Sequence, residues 1–127
     1  MNELEEGTTP NLQFEKRGGL LPVVVQNAAS MEVLMVGYTN RGAFEHTRES
    51  GYAHFYSTSR GVLWKKGESS GDYLRVAEIR VDCDQDALVY RVVPVGGGVC
   101  HTIAPSGEHR RSCFYRRLTE VGLEKME

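Results

Sequence analysis

Three carboxylates and a thiol crowd five consecutive positions of this chain, Asp82-Cys83-Asp84-Gln85-Asp86, directly after a β-branched run that ends at Val81. Carboxylates this close repel one another unless something cationic sits among them. Oxygen ligands select hard ions such as magnesium, whereas a thiolate is a softer ligand suited to zinc. The remaining cysteines, Cys100 and Cys113, lie in the polar or basic segments Gly98-Val99-Cys100-His101-Thr102 and Arg110-Arg111-Ser112-Cys113-Phe114-Tyr115. A catalytic zinc often takes three protein ligands and keeps a fourth place for water. Three cysteines without a Cys-x-x-Cys pair fit that count better than a closed structural site. The three segments are therefore expected to meet at a metal-dependent active site. If Asp82 to Asp86 stay extended, their carboxylates share one face and Cys83 points to the other. Two separate ions, one hard and one soft, would follow.

Competing readings stand beside this one. Short Asp-rich loops are commonly solvated turns, although a thiol has no packing reason to sit in one. A buried cysteine is often simply a small hydrophobe. The aspartate spacing matches the opening of an EF-hand loop, but Ala87 and Val93 stand where that loop needs Gly and Glu, which rejects a calcium sensor.

His101 follows Cys100 directly. A histidine beside a metal site is a candidate acid or base, because imidazole titrates near neutrality; a hydrogen-bonded structural histidine is the bland alternative. His46 and His54 read as surface or support, and His109 as a solvated loop residue. Ser57 to Gly71 is dense in hydroxyls, cations and glycines, the groups that hold phosphate. Arg60, Lys66, Ser69 and Ser70 are the candidates there, with Trp64 placed to stack on a base or sugar. A solvated Ser/Gly-rich loop is the alternative, and neither a Walker loop nor a dinucleotide fingerprint is present.

The elements that must position these residues are short. The 127 residues suit one domain, and 40% hydrophobic with 25% charged residues reads as globular. The formal net charge of −2 argues against a nucleic-acid binder working by bulk charge. No apolar run approaches the roughly 20 residues of a membrane-spanning helix, and the opening residues lack a signal pattern. A cytoplasmic protein is expected, with its cysteines as thiols or ligands. Residues 1–18 read as a mobile N-terminal lead, 19–118 as the domain and 119–127 as a tail. Leu20 to Gln26 and Glu32 to Tyr38 read as a hairpin. Asn40 caps a helix from about Arg41 to Ser50, packed through Ala43, Phe44 and Thr47 and stopped by Gly51. Strands follow at Ala53 to Ser57 and Gly61 to Lys65. A long hairpin, Leu74 to Cys83 with Ala87 to Val95, carries the acidic cluster at its turn. A last strand is expected over Ser112 to Leu118. The class is α+β, mostly antiparallel sheet with one clear helix.

Taken together, the motifs resemble one family, phosphoribosyl-AMP cyclohydrolase of histidine biosynthesis. The resemblance runs from about Gly19 to Arg117. It rests on Ser59-Arg60-Gly61, Trp64-x-Lys66-Gly67-Glu68-x-Ser70-Gly71, Val81-Asp82-Cys83-Asp84-x-Asp86-Ala87-Leu88, Gly97-Gly98-x-Cys100-His101-Thr102 and Arg111-Ser112-Cys113-Phe114-Tyr115. It implies a zinc enzyme that also uses magnesium and opens the adenine ring of 1-(5-phosphoribosyl)-AMP between N1 and C6. It matches Cys83, Cys100 and Cys113 to the zinc ligands and Asp82, Asp84 and Asp86 to the magnesium ligands. It also implies an intertwined homodimer whose zinc site takes cysteines from both subunits. His101 is then the expected proton donor. Two features depart from the family pattern. Ile103 to His109 lengthens the link between Cys100 and Cys113, and Ser69 stands where Thr is usual. A pyrophosphohydrolase domain, fused downstream in some relatives, is not found here, so the preceding step is expected to need a separate protein. Rival readings are a paralogue acting on another purine nucleotide and a non-catalytic module stapled by zinc. The His-x-Glu and Pro-Cys-x-x-Cys signature of nucleobase deaminases is absent.

Overall fold

The computed structural model describes residues 2–127; the lead expected over residues 1–18 begins on Met1, which lies outside them. Strand β1 (Leu21–Asn27) alternates apolar side chains in and out, and Leu21, Val23 and Val25 are fully buried. Burial of each such side chain contributes about 1.5–3 kcal/mol. Strand β2 (Val33–Thr39) pairs with it antiparallel, with a bulge at Val25/Gln26. Pro22 fits inside β1 because pairing on its other edge begins only at Val23.

Helix α1 is a single turn, Glu3–Glu6. Helix α2 (Arg41–Ser50) is the main one and has the expected bounds. The Asn40 side chain accepts from the Ala43 amide at 2.8 Å, and Gly51 leaves the helix at φ 80°. Its buried residues are Ala43, Phe44 and Thr47. Strands β3 (His54–Ser57) and β4 (Val62–Lys65) form a separate hairpin. Strands β5 (Leu74–Val81) and β6 (Leu88–Pro94) form the long hairpin, bulged between Val76 and Glu78.

The main sheet runs β2-β1-β6-β5. Both hairpins are antiparallel, and they join through one parallel pairing of β1 with β6. The structure is thus α+β and mostly antiparallel, as the sequence leads one to expect. Leu88, Tyr90 and Val92 of β6 share the core with the β1 side chains, and Phe44, Ala53 and Phe55 close over them. Phe14 reaches into the same core from the N-terminal lead and packs its ring, tilted by 59°, at 6.1 Å from that of Phe44.

The expected strand over Ser112 to Leu118 differs in extent. Strand β7 is Arg116–Thr119, and it pairs with an unforeseen β8 (Gly122–Lys125). The Ser112 hydroxyl explains the late start. It donates to the Val33 carbonyl at 2.8 Å and accepts from the Phe114 amide at 3.0 Å, which bends the chain before any ladder can form.

Candidate active site

The acidic segment does not stay extended. It is the tight turn between β5 and β6, with Gln85 in the left-handed region at φ 56°. Asp82 accepts from the amides of Asp86 at 2.9 Å and Ala87 at 3.1 Å, so one carboxylate closes the turn. The turn still gathers the carboxylates: oxygens of Asp82, Asp84 and Asp86 lie within 4.8 Å of one another. The cations that such a cluster requires come from the lead. Lys16 Nζ stands 2.8 Å from Asp86 and 3.1 Å from Asp84, and Arg17 stands 3.0 Å from Asp86. Lys16 above all, with hydrogen bonds from its neighbours, holds the Asp86 carboxyl well below the usual carboxylate range. Burial pushes Asp82 the other way. Nothing in the spacing of the sequence links Lys16 to a turn so far along the chain. The Gln85 side chain ties the lead down as well, accepting from the Asn11 amide at 2.7 Å and donating to the Leu4 carbonyl at 3.0 Å.

A second centre lies in a cleft of about 240 Å³, between the β4–β5 loop and the segment after β6. Arg60, Trp64, Lys66, Ser69 and Ser70, named above from the sequence, all line it, together with Cys100 and His101. Lys66 Nζ donates to the Val99 carbonyl and fixes the strand end against the cysteine segment. Trp64 packs against Phe55 at 5.3 Å, so its ring is half committed to the core. Cys100 is buried, with its sulfur 3.0 Å from the Thr102 hydroxyl. Cys113 lies beside it, anchored by its amide to the Leu34 carbonyl at 2.7 Å. Cys113 is exposed as a residue, yet desolvation by the groups around its sulfur pushes the thiol up to about 11, and the neighbouring Cys100 adds to this. Burial alone would raise Cys100 too. Hydrogen bonds from Thr102 and Cys113 and the charge of Lys66 outweigh it, so Cys100 is the one that ionises first.

Cys83 is elsewhere, exposed on the acidic turn. Among the described residues, the aspartates are the metal-ligand side chains that converge as a group of three within one chain; the cysteines do not. They divide into a pair and a single.

The long link is not a loose loop. It folds as a small hairpin in which Ile103 pairs with His109, Ala104 donates to Glu108 at 2.8 Å and Arg110 donates to Thr102 at 3.0 Å. His109, expected as a solvated loop residue, is exposed as expected but sits in the bridge of this hairpin rather than in an open loop. The hairpin returns His109 to the cleft, where Nδ1 stands 2.9 Å from the Asp72 carboxylate. Asp72 was not legible as a site residue, since an acid closing a Ser/Gly loop resembles any turn. His54 is buried and bonded through Nδ1 to the Tyr52 carbonyl at 2.9 Å, with His46 stacked on it at 5.5 Å, a supporting role. Because Thr102 and Arg110 already pair across the base of the link, a three-residue γ-turn can close it. Replacing Ile103 to His109 by one Gly is expected to leave a folded protein, as measured by circular dichroism. Loss of the fold would mean that the hairpin is needed to seat Cys113 against Leu34.

The model of the phosphoribosyl-AMP cyclohydrolase family matches residues 35–115, more than half of the chain. The chain belongs to the phosphoribosyl-AMP cyclohydrolase family. Among its relatives, a phosphoribosyl-AMP cyclohydrolase of Solibacter usitatus is 53% identical over 108 residues, covering 85% of this chain and 81% of that one. One of Archaeoglobus fulgidus is 51% identical over 107 residues, with 84% and 92% covered. One of Rhodopseudomonas palustris (strain HaA2) is 48% identical over 118 residues, with 93% and 75% covered. The chain is accordingly an enzyme, a cyclohydrolase.

All six candidate metal ligands of this cyclohydrolase lie inside the matched segment, whereas the β7–β8 hairpin follows it. The donor sets fit two kinds of ion. Three converging carboxylates are an all-oxygen set for a hard cation. Two adjacent thiols, with Cys100 shifted below the usual thiol range by its neighbours, are the beginning of a soft site. Among the described residues, no helix is long and apolar enough to cross a membrane.

Proposed function

We propose that this cyclohydrolase is a zinc hydrolase that opens the adenine ring of 1-(5-phosphoribosyl)-AMP at the N1–C6 bond, within histidine biosynthesis in the cytoplasm. The observation that carries the reading is the cleft. One surface unites the cations and hydroxyls that suit phosphate, an aromatic ring, a buried thiol and a histidine. Zinc would be held by Cys83, Cys100 and Cys113. Since Cys83 stands apart from the other two within a chain, the reading takes it from a second copy, in an intertwined homodimer. Magnesium would be held by Asp82, Asp84 and Asp86, with Lys16 and Arg17 giving way or sharing the charge. Zinc held there would supply a water activated near neutral pH.

The chain's own groups do the rest. Arg60, Lys66, Ser69 and Ser70 bind phosphate oxygens, with Arg60 and Lys66 opposing the negative charge of a doubly phosphorylated substrate. Trp64 offers an aromatic edge to the base or sugar. Ribosylation at N1 makes C6 electrophilic, and attack there gives a tetrahedral carbon. N1 leaves as that carbon collapses, and His101, at the cleft surface beside Cys100, gives it a proton.

The test is turnover of 1-(5-phosphoribosyl)-AMP by freshly purified protein, before and after chelation, with zinc measured in parallel. About one zinc per chain, loss of ring opening on chelation and its return with zinc are expected. Full activity in metal-free protein would overturn the reading. The two ions should also separate by mutation. Asp84→Asn is expected to weaken magnesium activation at least about tenfold, ~1.4 kcal/mol, and to leave zinc in place. A variant that lost zinc and kept its magnesium response would refute the division.

A further inference from the structure

Hydrolysis adds one water across C6–N1. The oxygen goes to C6, and a hydrogen goes to N1. The reaction therefore needs a group that takes a proton from the attacking water as well as one that gives a proton to N1. The reading above, on which this inference rests, assigns only the donor, His101. We propose that His109, held by Asp72, is the proton acceptor.

The pair is built rather than incidental. The Asp72 side chain is only 10% exposed and His109 38%, and both line the cleft that holds Cys100 and His101. An ionised carboxylate can only accept, so Nδ1 of His109 donates to it and Nε2 is left as the basic atom. Among the described residues, the Asp72 contact is the hydrogen bond of the His109 ring, so Nε2 has no competing partner. Two glycines make room for the pair. A Cβ on Gly96 would come within 2.4 Å of Asp72 Oδ1, and one on Gly98 within 2.7 Å of His109 Cβ and 2.9 Å of Asp72 Oδ2. Gly67 is packed in the same way, at 2.5 Å from the Asp72 backbone. Gly96 and Gly98 show no left-handed backbone, so it is space at the pair, and not φ, that demands glycine there.

The step balances. The water oxygen bonds to C6 as its proton passes to His109 Nε2. The C6–N1 bond then breaks with its electron pair on N1, which takes a proton from His101, and the proton left on the C6 oxygen passes to the exocyclic nitrogen, so that C6 becomes a carboxamide. Solvent removes the proton from His109 and restores the one on His101. His109 is thus a catalytic residue and Asp72 a positioning residue that sets its tautomer.

The experiment uses the zinc-loaded protein and 1-(5-phosphoribosyl)-AMP. His109→Ala is expected to lower kcat by about a hundredfold, within the range of a lost general base. KM should change less than about twofold, zinc content should stay the same, and added imidazole should restore part of kcat. Asp72→Asn, which still accepts from Nδ1, should lower kcat by about tenfold with KM unchanged. An unchanged kcat, a loss confined to KM, or a loss that imidazole does not repair would overturn the proposal. If His109→Ala does not fold, His109→Gln decides by the same kcat. Wild-type protein without turnover would refute the ring-opening reading; wild-type turnover equalled by the variants would refute only the role of His109.

Discussion

Cys100→Ser is expected to empty the proposed zinc site and to lower ring opening by at least about a thousandfold, a loss of some 4 kcal/mol in transition-state stabilisation. The sulfur of Cys100 is buried, touches Thr102 and is the member of its pair that ionises first. A serine hydroxyl of the same shape does not ionise near neutral pH and is a hard ligand where zinc prefers a soft one. Metal analysis of the purified variant should find well under a tenth of the wild-type zinc. Retention of zinc with normal turnover would mean that the Cys100–Cys113 pair is only packing.

Subunit exchange between two dead variants is expected to restore activity from nothing. Cys83→Ala and Cys113→Ala homodimers should each be inactive, because every site in them lacks a ligand. When they exchange, a shared-site dimer carries both defects at one site and none at the other. With random exchange about half of the dimers are mixed, and half of their sites are whole, so about a quarter of the unmutated activity should return. The physical motive is the separation of the sulfurs: Cys100 and Cys113 are neighbours, and Cys83 is on the turn with the aspartates. No recovery on mixing would mean that each chain supplies all of its own ligands.

Much of the molecule was legible because its signals are local. The alternation of Leu21, Val23 and Val25, the Asn40 cap and the Gly51 stop each act within a few residues, and the sheet and α2 follow them closely. The cleft residues were legible because hydroxyls, cations and glycines cluster within one loop. What escaped depends on contacts between distant segments. The partners of the acidic turn, Lys16 and Arg17, lie in a polar lead with no periodicity. The Asp72–His109 pair forms only because the link folds into a hairpin. The β7–β8 hairpin escaped for a different reason. Its residues are mostly exposed, so there is no buried face to imprint an alternation on the sequence. The meeting of three cysteines was expected from their count. In one chain the count holds and the convergence does not, because β5–β6 carries Cys83 to the turn of the long hairpin while the segment after β6 seats Cys113, with Cys100 beside it, against β2.

Hydrolytic opening of the purine ring is tested by following the oxygen of the attacking water. The zinc-loaded protein is given 1-(5-phosphoribosyl)-AMP in water enriched in heavy oxygen, and the product is fragmented in a mass spectrometer. The expected product is heavier than the substrate by one water, with a single heavy oxygen in a new carboxamide derived from C6 and with both ribosyl groups still attached. A deaminated product, release of ribose phosphate, or a product without the heavy oxygen at that carbon would contradict it.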